Sequence, residues 1–282
     1  VWGPVSVANI SGAKWFVSFI DDCSRVTWIF LMKDKAEVAQ LFQNFYRMVQ
    51  TQFGKTIKRL RSDNGTEYVN RNMSEFLQKH GVIHELTCVD TPQQNGVAER
   101  KNRHLLEMAR ALLFQMSVPQ FYWGEAVLTA TYLINRLPTR ILDGVSPVQV
   151  MSSFFPSVPI MNSLECRVFG CTAFVHVHRQ HRSKLDPRAL KCIFLGYHCN
   201  KKGYKCYHPS SRRTFVSMDV TFHETEPFYS SPPLQGENLL EAESVSNDES
   251  NDESLESCRP FISLPVQDMT PSSDTTQGAP TS

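Results

Sequence analysis

Two stretches decide how this chain folds: Arg61-Ser62-Asp63-Asn64-Gly65-Thr66-Glu67-Tyr68 and Pro92-Gln93-Gln94-Asn95-Gly96-Val97-Ala98-Glu99. Each places one acid at an informative position. Asp63 follows a short β-prone run over 55–61, and Glu99 falls in the first turn of a long segment with helical apolar spacing over 96–116. The two acids are separated by 35 residues. A carboxylate at a strand end and another at a helix start can converge on one metal site.

Such a pair suits phosphodiester chemistry, in which two Mg²⁺ ions about 3.5–4 Å apart activate an attacking oxygen and stabilise a leaving one. Mg²⁺ prefers oxygen ligands and keeps several waters, so few protein acids are needed. Considered alone, Asp63 is more typical of an Asp-Asn-Gly turn, and Glu99 of a helix start where the macrodipole favours an acid. The two together, in these contexts, are far more specific.

Strand and helix patterns surround the two stretches. Apolar runs over 15–20 and 26–31, joined through Asp21-Asp22, predict a hairpin, and residues 1–10 could supply a preceding strand broken at Gly3-Pro4. Periodicity predicts a further short strand over 82–88 and helices over the following ranges: 34–53, 72–80, 96–116 and 122–136. Strands first, then strands alternating with helices, predict a mixed α/β domain over 1–120.

The rest of the chain changes character twice. Residues 121–162 hold a helix and a connector with four prolines between 138 and 159. Residues 163–229 predict a small β-barrel, with strand-like runs over 167–177, 191–197, 203–208 and 214–222. The Ser-, Pro- and acid-rich residues 230–282 have little apolar content, so a disordered tail is expected there.

Charge is unevenly distributed along the chain. The tail over 230–282 carries ten of the 28 acids and one of the 29 bases, so residues 1–229 have a net charge of +10. A basic body with an acidic tail suggests a surface that binds a polyanion, although ordinary solvated charge explains the numbers equally well. The eight cysteines include no Cys-x-x-Cys pair, which favours reduced thiols over a zinc site.

The sequence lacks the features that direct a protein to secretion or to a membrane. The sequence has no signal peptide and no stretch of 18 apolar residues, which predicts a non-secreted protein with no membrane partner. It begins with Val1 rather than Met, so a fragment or a processed product is expected.

The motifs resemble a known family. Ser62-Asp63-Asn64-Gly65 and the stretch ending in Glu99, with 35 residues between the acids, resemble the Asp-Asp-35-Glu core of retroviral and retrotransposon integrases. Three further segments resemble the copia-type branch, within the Pol polyprotein of long-terminal-repeat retrotransposons: Trp2-Gly3-Pro4, Phe19-Ile20-Asp21-Asp22-Cys23-Ser24-Arg25, and Phe194-Leu195-Gly196-Tyr197 with Lys202-Gly203-Tyr204-Lys205-Cys206-Tyr207. The resemblance covers about residues 1–229.

This resemblance implies a fold and a chemistry. It implies an RNase H-like core, a mixed five-stranded sheet with flanking helices, followed by a small SH3-like barrel. Asp63 and Glu99 would be catalytic residues that bind two Mg²⁺ or Mn²⁺ ions. The activity implied is DNA integration, by 3′-end processing of element DNA and strand transfer into target DNA. A homo-multimer on DNA, other Pol domains as partners, and a nuclear site of action after a cytoplasmic stage are implied as well.

The family pattern also raises a difficulty. Its first catalytic Asp immediately precedes the Trp-Gly-Pro segment, at the position just before Val1, so this chain is expected to catalyse strand transfer poorly or not at all. Asp21 and Asp22 belong to the predicted hairpin and are not expected to replace it. Two alternatives stay open: a catalytically dead nucleic-acid-binding remnant of a decayed element, and a hydrolase of the same fold that cuts RNA–DNA hybrids.

Several polar and basic residues near the two acids are candidate DNA contacts. Arg100 and Arg103 follow Glu99 on the same helix, and Arg103 shares its face, although a Glu–Arg pair on a solvated helix explains Arg103 equally well. Lys58 and Arg61 could contact backbone phosphate near Asp63. The DNA-binding set is completed by Asn64, which is equally suited to a turn, and Asn95, which could instead cap a helix.

Overall fold

The first two strands form the hairpin that the sequence predicted. In the computed structural model, β1 (Trp15–Ile20) pairs antiparallel with β2 (Thr27–Met32). Asp21 closes the turn, since its Oδ2 accepts hydrogen bonds at 2.7 Å from both the backbone N–H and the hydroxyl of Ser24. The structure describes residues 1–88, 95–158, 164–178, 182–198 and 201–229.

A helix packs on one face of this hairpin. Helix α1 (Val38–Phe53) begins after a 3-10 turn with a capping box, in which Asp34 accepts from Ala36 and Glu37 accepts from the backbone of Asp34. It ends at Gly54, whose φ of 60° is the left-handed conformation that glycine adopts easily. Its apolar face joins one buried core with side chains of both strands.

A β-α-β crossover follows α1 directly. Strand β3 (Arg59–Ser62), helix α2 (Arg71–Lys79) and strand β4 (Ile83–Leu86) form a β-α-β unit with β3 and β4 parallel. Asn70 starts α2 by accepting a hydrogen bond from the Met73 N–H at 2.9 Å. The unit leaves the end of β3, and so Asp63, at the surface.

The core sheet is less continuous than the five-stranded sheet that the family resemblance implied. Among the described residues, β1–β2 and β3–β4 are separate pairs, and the amino-terminal strand is reduced to one bridge between Trp2 and Phe16. Pro4 has no N–H to donate and Gly3 has a φ of 128°, so the first segment cannot continue a regular ladder.

Three helices follow the crossover. They are α3 (Gly96–Gln115), α4 (Trp123–Ile134) and α5 (Pro147–Phe154). Helix α5 lies inside the segment that the sequence predicted as a connector only, which is a correction. Local chemistry explains it: Ser146 and Gln149 form a capping box, and Pro147 occupies the first helical position, where its missing N–H costs nothing.

The second domain is a five-stranded antiparallel sheet. Its strands are β5 (Cys171–His176), β6 (Ala189–Tyr197), β7 (Tyr204–His208), β8 (Arg213–Ser217) and β9 (Val220–Pro227). The single run predicted over 214–222 is two strands, which is a second correction. They lie at opposite edges, in the order β8-β7-β6-β5-β9, although only two residues join them. The sheet therefore has to curl, as in a small barrel.

Helix α4 belongs to both domains. It is buried on nearly every side, and one continuous core runs from Phe16 and Ile29 of the hairpin through α4 to Phe194 of β6. Polar contacts reinforce the packing. Lys205 of β7 forms a 2.8 Å ion pair with Glu125, both side chains being mostly buried, and the Tyr132 hydroxyl donates to the Leu164 carbonyl at 3.0 Å.

None of the described cysteines forms a disulfide. Cys171, Cys192 and Cys206, here called the buried thiols, lie inside the barrel, whereas Cys23, Cys88 and Cys166 are exposed. The reduced state expected for the cysteines stays a prediction. The acidic tail over 230–282 lies outside the described residues. No helix in the described part of the chain is long and apolar enough to cross a membrane.

Candidate active site at the end of strand β3

Asp63 is the first residue after β3, and its carboxylate is exposed. Its Oδ1 accepts a hydrogen bond at 3.1 Å from the N–H of Gly65, which confirms the turn predicted for Asp-Asn-Gly. The turn and a surface carboxylate are compatible, because one oxygen can accept the turn bond while the group still has lone pairs for a cation.

The backbone around Asp63 is held from both sides. The Ser62 hydroxyl lies 2.9 Å from the Asp63 carbonyl, to which it donates, and 2.8 Å from Nε2 of His84 on β4. Asn64 donates from its side-chain amide to the Thr87 carbonyl at 2.9 Å. Burial lowers the pKa of His84, so the neutral ring is favoured beside Ser62. These contacts fix the position of the backbone that carries the Asp63 side chain.

A second carboxylate lies beside Asp63 that the sequence did not single out. Glu67 has a side chain only 10% exposed, and its Oε1 is 3.8 Å from Nζ of Lys35. A Cβ added at Gly65 would lie 2.7 Å from Glu67 Oε2 and 3.0 Å from Asp63 Oδ1. The two acids therefore crowd the same side of Gly65, and only the missing side chain of glycine leaves room for them.

The amino end of the first segment reaches this carboxylate pair. The Val1 amino group donates to the Tyr68 hydroxyl at 3.4 Å. Burial lowers the pKa of that amino group, while Asp63 and Glu67 both act in the opposite direction. Burial also raises the pKa of Tyr68, and the same two acids add to this shift. The bridge between Trp2 and Phe16 thus places the Val1 amino group near the Asp63 carboxylate.

Glu99 is exposed in the first turn of α3, as predicted. Three residues further on, Asn102 accepts a hydrogen bond at 2.9 Å from the Ser18 hydroxyl of β1, so that side of α3 faces the hairpin. Asn95 occupies the N-cap position, but its side chain makes no capping hydrogen bond.

The basic candidates differ in what their side chains contact. Arg61 donates to Glu85 of β4 at 3.1 and 3.2 Å, so a phosphate would have to compete with that carboxylate. Lys58, Arg100 and Arg103 are exposed. Since the side-chain amide of Asn64 is bonded to Thr87, it holds the loop. The DNA-binding role of the six candidates stays a prediction.

Comparison with known families decides the assignment. The integrase core domain family matches residues 1–92, and the retroviral polymerase SH3-like domain family matches residues 171–236. The chain belongs to the integrase family of retrotransposon Pol polyproteins. The first match contains Asp63 and ends before Glu99, and the second begins at the first residue of β5.

Plant relatives cover most of this integrase chain. The retrovirus-related Pol polyprotein from transposon TNT 1-94 of Nicotiana tabacum is 43% identical over 226 residues, which is 80% of this chain and 17% of the relative. The Pol polyprotein from transposon RE2 of Arabidopsis thaliana is 37% identical over 224 residues, 79% of this chain and 15% of the relative. The copia-type assignment is confirmed, and the chain spans less than a fifth of these two relatives.

A solved structure was also found. The HTLV-2 integrase catalytic core domain in complex with magnesium is 17% identical, covers 48% of this chain and 82% of its own, and superposes with a TM-score of 0.38.

The carboxylates near the end of β3 are chemically suited to a divalent cation, but they do not form a complete cage. The described residues contain no group of three or more His, Cys, Asp or Glu arranged to hold a metal. Asp63 and Glu99 lie on the two elements that the sequence predicted, and Glu67 adds a third acid beside Asp63. Exposed carboxylates at a strand end fit Mg²⁺, which keeps much of its water shell.

Proposed function

We propose that this chain is the part of an integrase that binds element-end DNA and target DNA and joins them by metal-dependent polynucleotidyl transfer. The exposed Asp63 carboxylate at the end of β3, within the match to the integrase core domain, is the observation that carries the proposal. Asp63 and Glu99 would hold the divalent cations, two in number and Mg²⁺ or Mn²⁺ in kind. When bound, the cations supply activation of the attacking oxygen and stabilisation of the leaving one.

The protein's own residues position the reactants. Ser62 and Asn64 fix the turn that presents Asp63, and α3 presents Glu99 from its first turn. Lys58, Arg61, Arg100, Arg103 and Asn95 are the proposed contacts to DNA backbone. Positioning and charge account for most of the catalysis in phosphoryl transfer, so no covalent protein intermediate is required.

A further acidic ligand would come from the residue that precedes Val1 in a longer chain. The Val1 amino group lies at Tyr68 and is under the influence of Asp63 and Glu67, so such a residue would be next to the carboxylate pair. We propose that an Asp at that position completes the site, that the active form is a homo-multimer within a Pol polyprotein context, and that it acts in the nucleus after a cytoplasmic stage.

A strand-transfer assay tests the proposal. Labelled duplex with the parent element's end sequence would be incubated with supercoiled plasmid and Mg²⁺ or Mn²⁺. Four proteins would be compared: this chain, the chain extended by one N-terminal Asp, and the extended chain carrying Asp63→Asn or Glu99→Gln. We expect joining by the extended chain at least about 100-fold above either variant, because each variant removes a metal ligand.

The same experiment separates the rival function. DNA binding without joining in all four proteins would identify a nucleic-acid-binding remnant instead. Joining by a Glu99→Gln variant at the level of its parent would refute the metal role of Glu99.

A further inference from the structure

We infer that Glu67 is a positioning residue of this active site: with Lys35 as its counter-ion, it sets the electrostatic field in which Asp63 binds a divalent cation. The inference rests on the proposed function, because it takes Asp63 to be a metal ligand. The sequence patterns did not single out Glu67; its neighbours in space, Lys35 and Asp63, distinguish it.

The geometry places the Glu67 charge where a cation on Asp63 would feel it. Oε2 of Glu67 and Oδ1 of Asp63 both approach the same side of Gly65, at 2.7 and 3.0 Å from the point that a Cβ would occupy. No side chain separates them at that point. Glu67 is nevertheless mostly buried, whereas Asp63 is exposed. The Asp63 carboxylate is therefore available to bind a cation, and the charge of the buried Glu67 can attract that cation without contacting it.

Lys35 is held so that it partly offsets this charge. It is the first residue of the 3-10 turn that Asp34 caps, and its Nζ lies 3.8 Å from Glu67 Oε1 and 4.7 Å from the centroid of the Trp15 ring. A cation over an aromatic face is attracted by the ring quadrupole, which favours this position for the ammonium group. Lys35 and Glu67 thus form a pair of opposite fixed charges beside Asp63.

The arrangement points to function because two adjacent carboxylates repel each other, and a mostly buried one pays a desolvation cost as well. A glutamine would fill the same space without the repulsion. A divalent cation on Asp63 reverses the sign of the interaction, since Glu67 then attracts the ion. For a divalent ion about 6 Å away, even screening as strong as that of water leaves roughly a tenfold effect on affinity.

Manganese titration of the ¹⁵N-labelled full chain tests this without any activity. Mn²⁺ broadens the amide signals of nearby residues, and the Mn²⁺ concentration that halves the Asn64 and Gly65 signals measures the local affinity. We expect Glu67→Gln to raise that concentration about tenfold and Lys35→Gln to lower it by a similar factor. Because the two charges have opposite sign, the double variant should return to within about twofold of the unmodified chain.

Control variants separate electrostatics from damage to the fold. Glu85→Gln removes the same charge from a half-buried residue of β4 that pairs with Arg59 and Arg61, and it should leave the Asn64 and Gly65 titration unchanged. Glu67→Asp keeps the charge and should retain most of the affinity. Loss of structure alone would not be reversed by a second substitution at Lys35.

The outcomes distinguish this inference from the function on which it rests. Asp63→Asn should abolish the selective broadening. If neither the unmodified chain nor the chain extended by one N-terminal Asp shows any, the proposed metal site is wrong, and the inference fails with it. If Asp63→Asn abolishes the broadening while Glu67→Gln leaves it within twofold, only the role of Glu67 is overturned. Weaker Mn²⁺ binding by Lys35→Gln would overturn it independently.

Discussion

Replacing Asn135 by alanine should cost the protein about 3 kcal/mol of unfolding free energy. Asn135, just after α4, is 1% exposed, and its side chain bonds both backbone groups of Thr27 at the start of β2. The Thr27 N–H donates to Oδ1 at 2.9 Å, and Nδ2 donates to the Thr27 carbonyl at 2.8 Å. Thr27 is itself 1% exposed, so water cannot replace these bonds without opening the core.

The magnitude follows from the groups left unsatisfied. Each buried backbone group that loses its only partner costs about 1–3 kcal/mol, and Asn135→Ala strands two of them. The backbone bond from the Val148 N–H to the Asn135 carbonyl is unaffected by the substitution. Urea unfolding followed by circular dichroism and by tryptophan fluorescence measures the loss. Since α4 is shared by both domains, the two probes should report the same transition.

The matched control is Asn44→Ala on α1. Asn44 is exposed, and its side chain accepts only from its neighbour Gln40 at 3.1 Å. Its replacement should change the unfolding free energy by less than about 0.5 kcal/mol. A loss under 1 kcal/mol for Asn135→Ala, on the same scale, would refute the argument that α4 is clamped to the hairpin through buried hydrogen bonds.

Three further predictions concern packing, thiol chemistry and charge. Gly170→Ala should destabilise the fold by about 2 kcal/mol more than Gly144→Ala. Both glycines have a φ of 82°, but an added Cβ overlaps the Val118 side chain only at Gly170. Equal losses of unfolding free energy in urea would contradict this. Burial raises the pKa of Cys192 to about 11 and that of Cys171 to about 12. Iodoacetamide at pH 8 should therefore label the three exposed cysteines at least tenfold faster than the buried thiols, as peptide mapping would show. Similar labelling rates would exclude the packed barrel interior. Ending the chain at Tyr229 should tighten binding to a fluorescent DNA duplex at low salt and have little effect at high salt, because the acidic tail no longer competes with DNA for the basic body. A chain whose ten tail acids are changed to amides should behave like the truncated chain. An affinity independent of the tail's charge would argue against competition.

The sequence by itself determined the local elements and the identity of the principal acids. Apolar periodicity located α1, α3 and α4 to within a few residues, because their buried faces repeat at helical spacing. The Asp-Asn-Gly turn after β3 and the acid in the first turn of α3 follow from chemistry that acts over a few residues. The same local logic identified the hairpin and most of the barrel strands.

Short-range patterns missed helix α5 and the division between β8 and β9. Helix α5 was missed because its first residue is Pro147, and a proline in a sequence usually predicts the end of a helix rather than its start. The run over 214–222 looked continuous because nothing local marks Met218 and Asp219 as a corner. The pairing of β9 with β5 decides that corner, and this pairing joins residues about 50 positions apart.

Only the tertiary structure decided which residues share the site and how the domains join. Glu67 is four residues from Asp63 in sequence, yet its proposed role depends on Lys35 and on Gly65 having no side chain. The sequence predicted helix α4 but assigned it to the segment between the two domains, whereas α4 contributes to a core that both domains share. Spacing along a chain encodes faces and turns, but a charge field or a common core depends on distances through space, which folding alone sets.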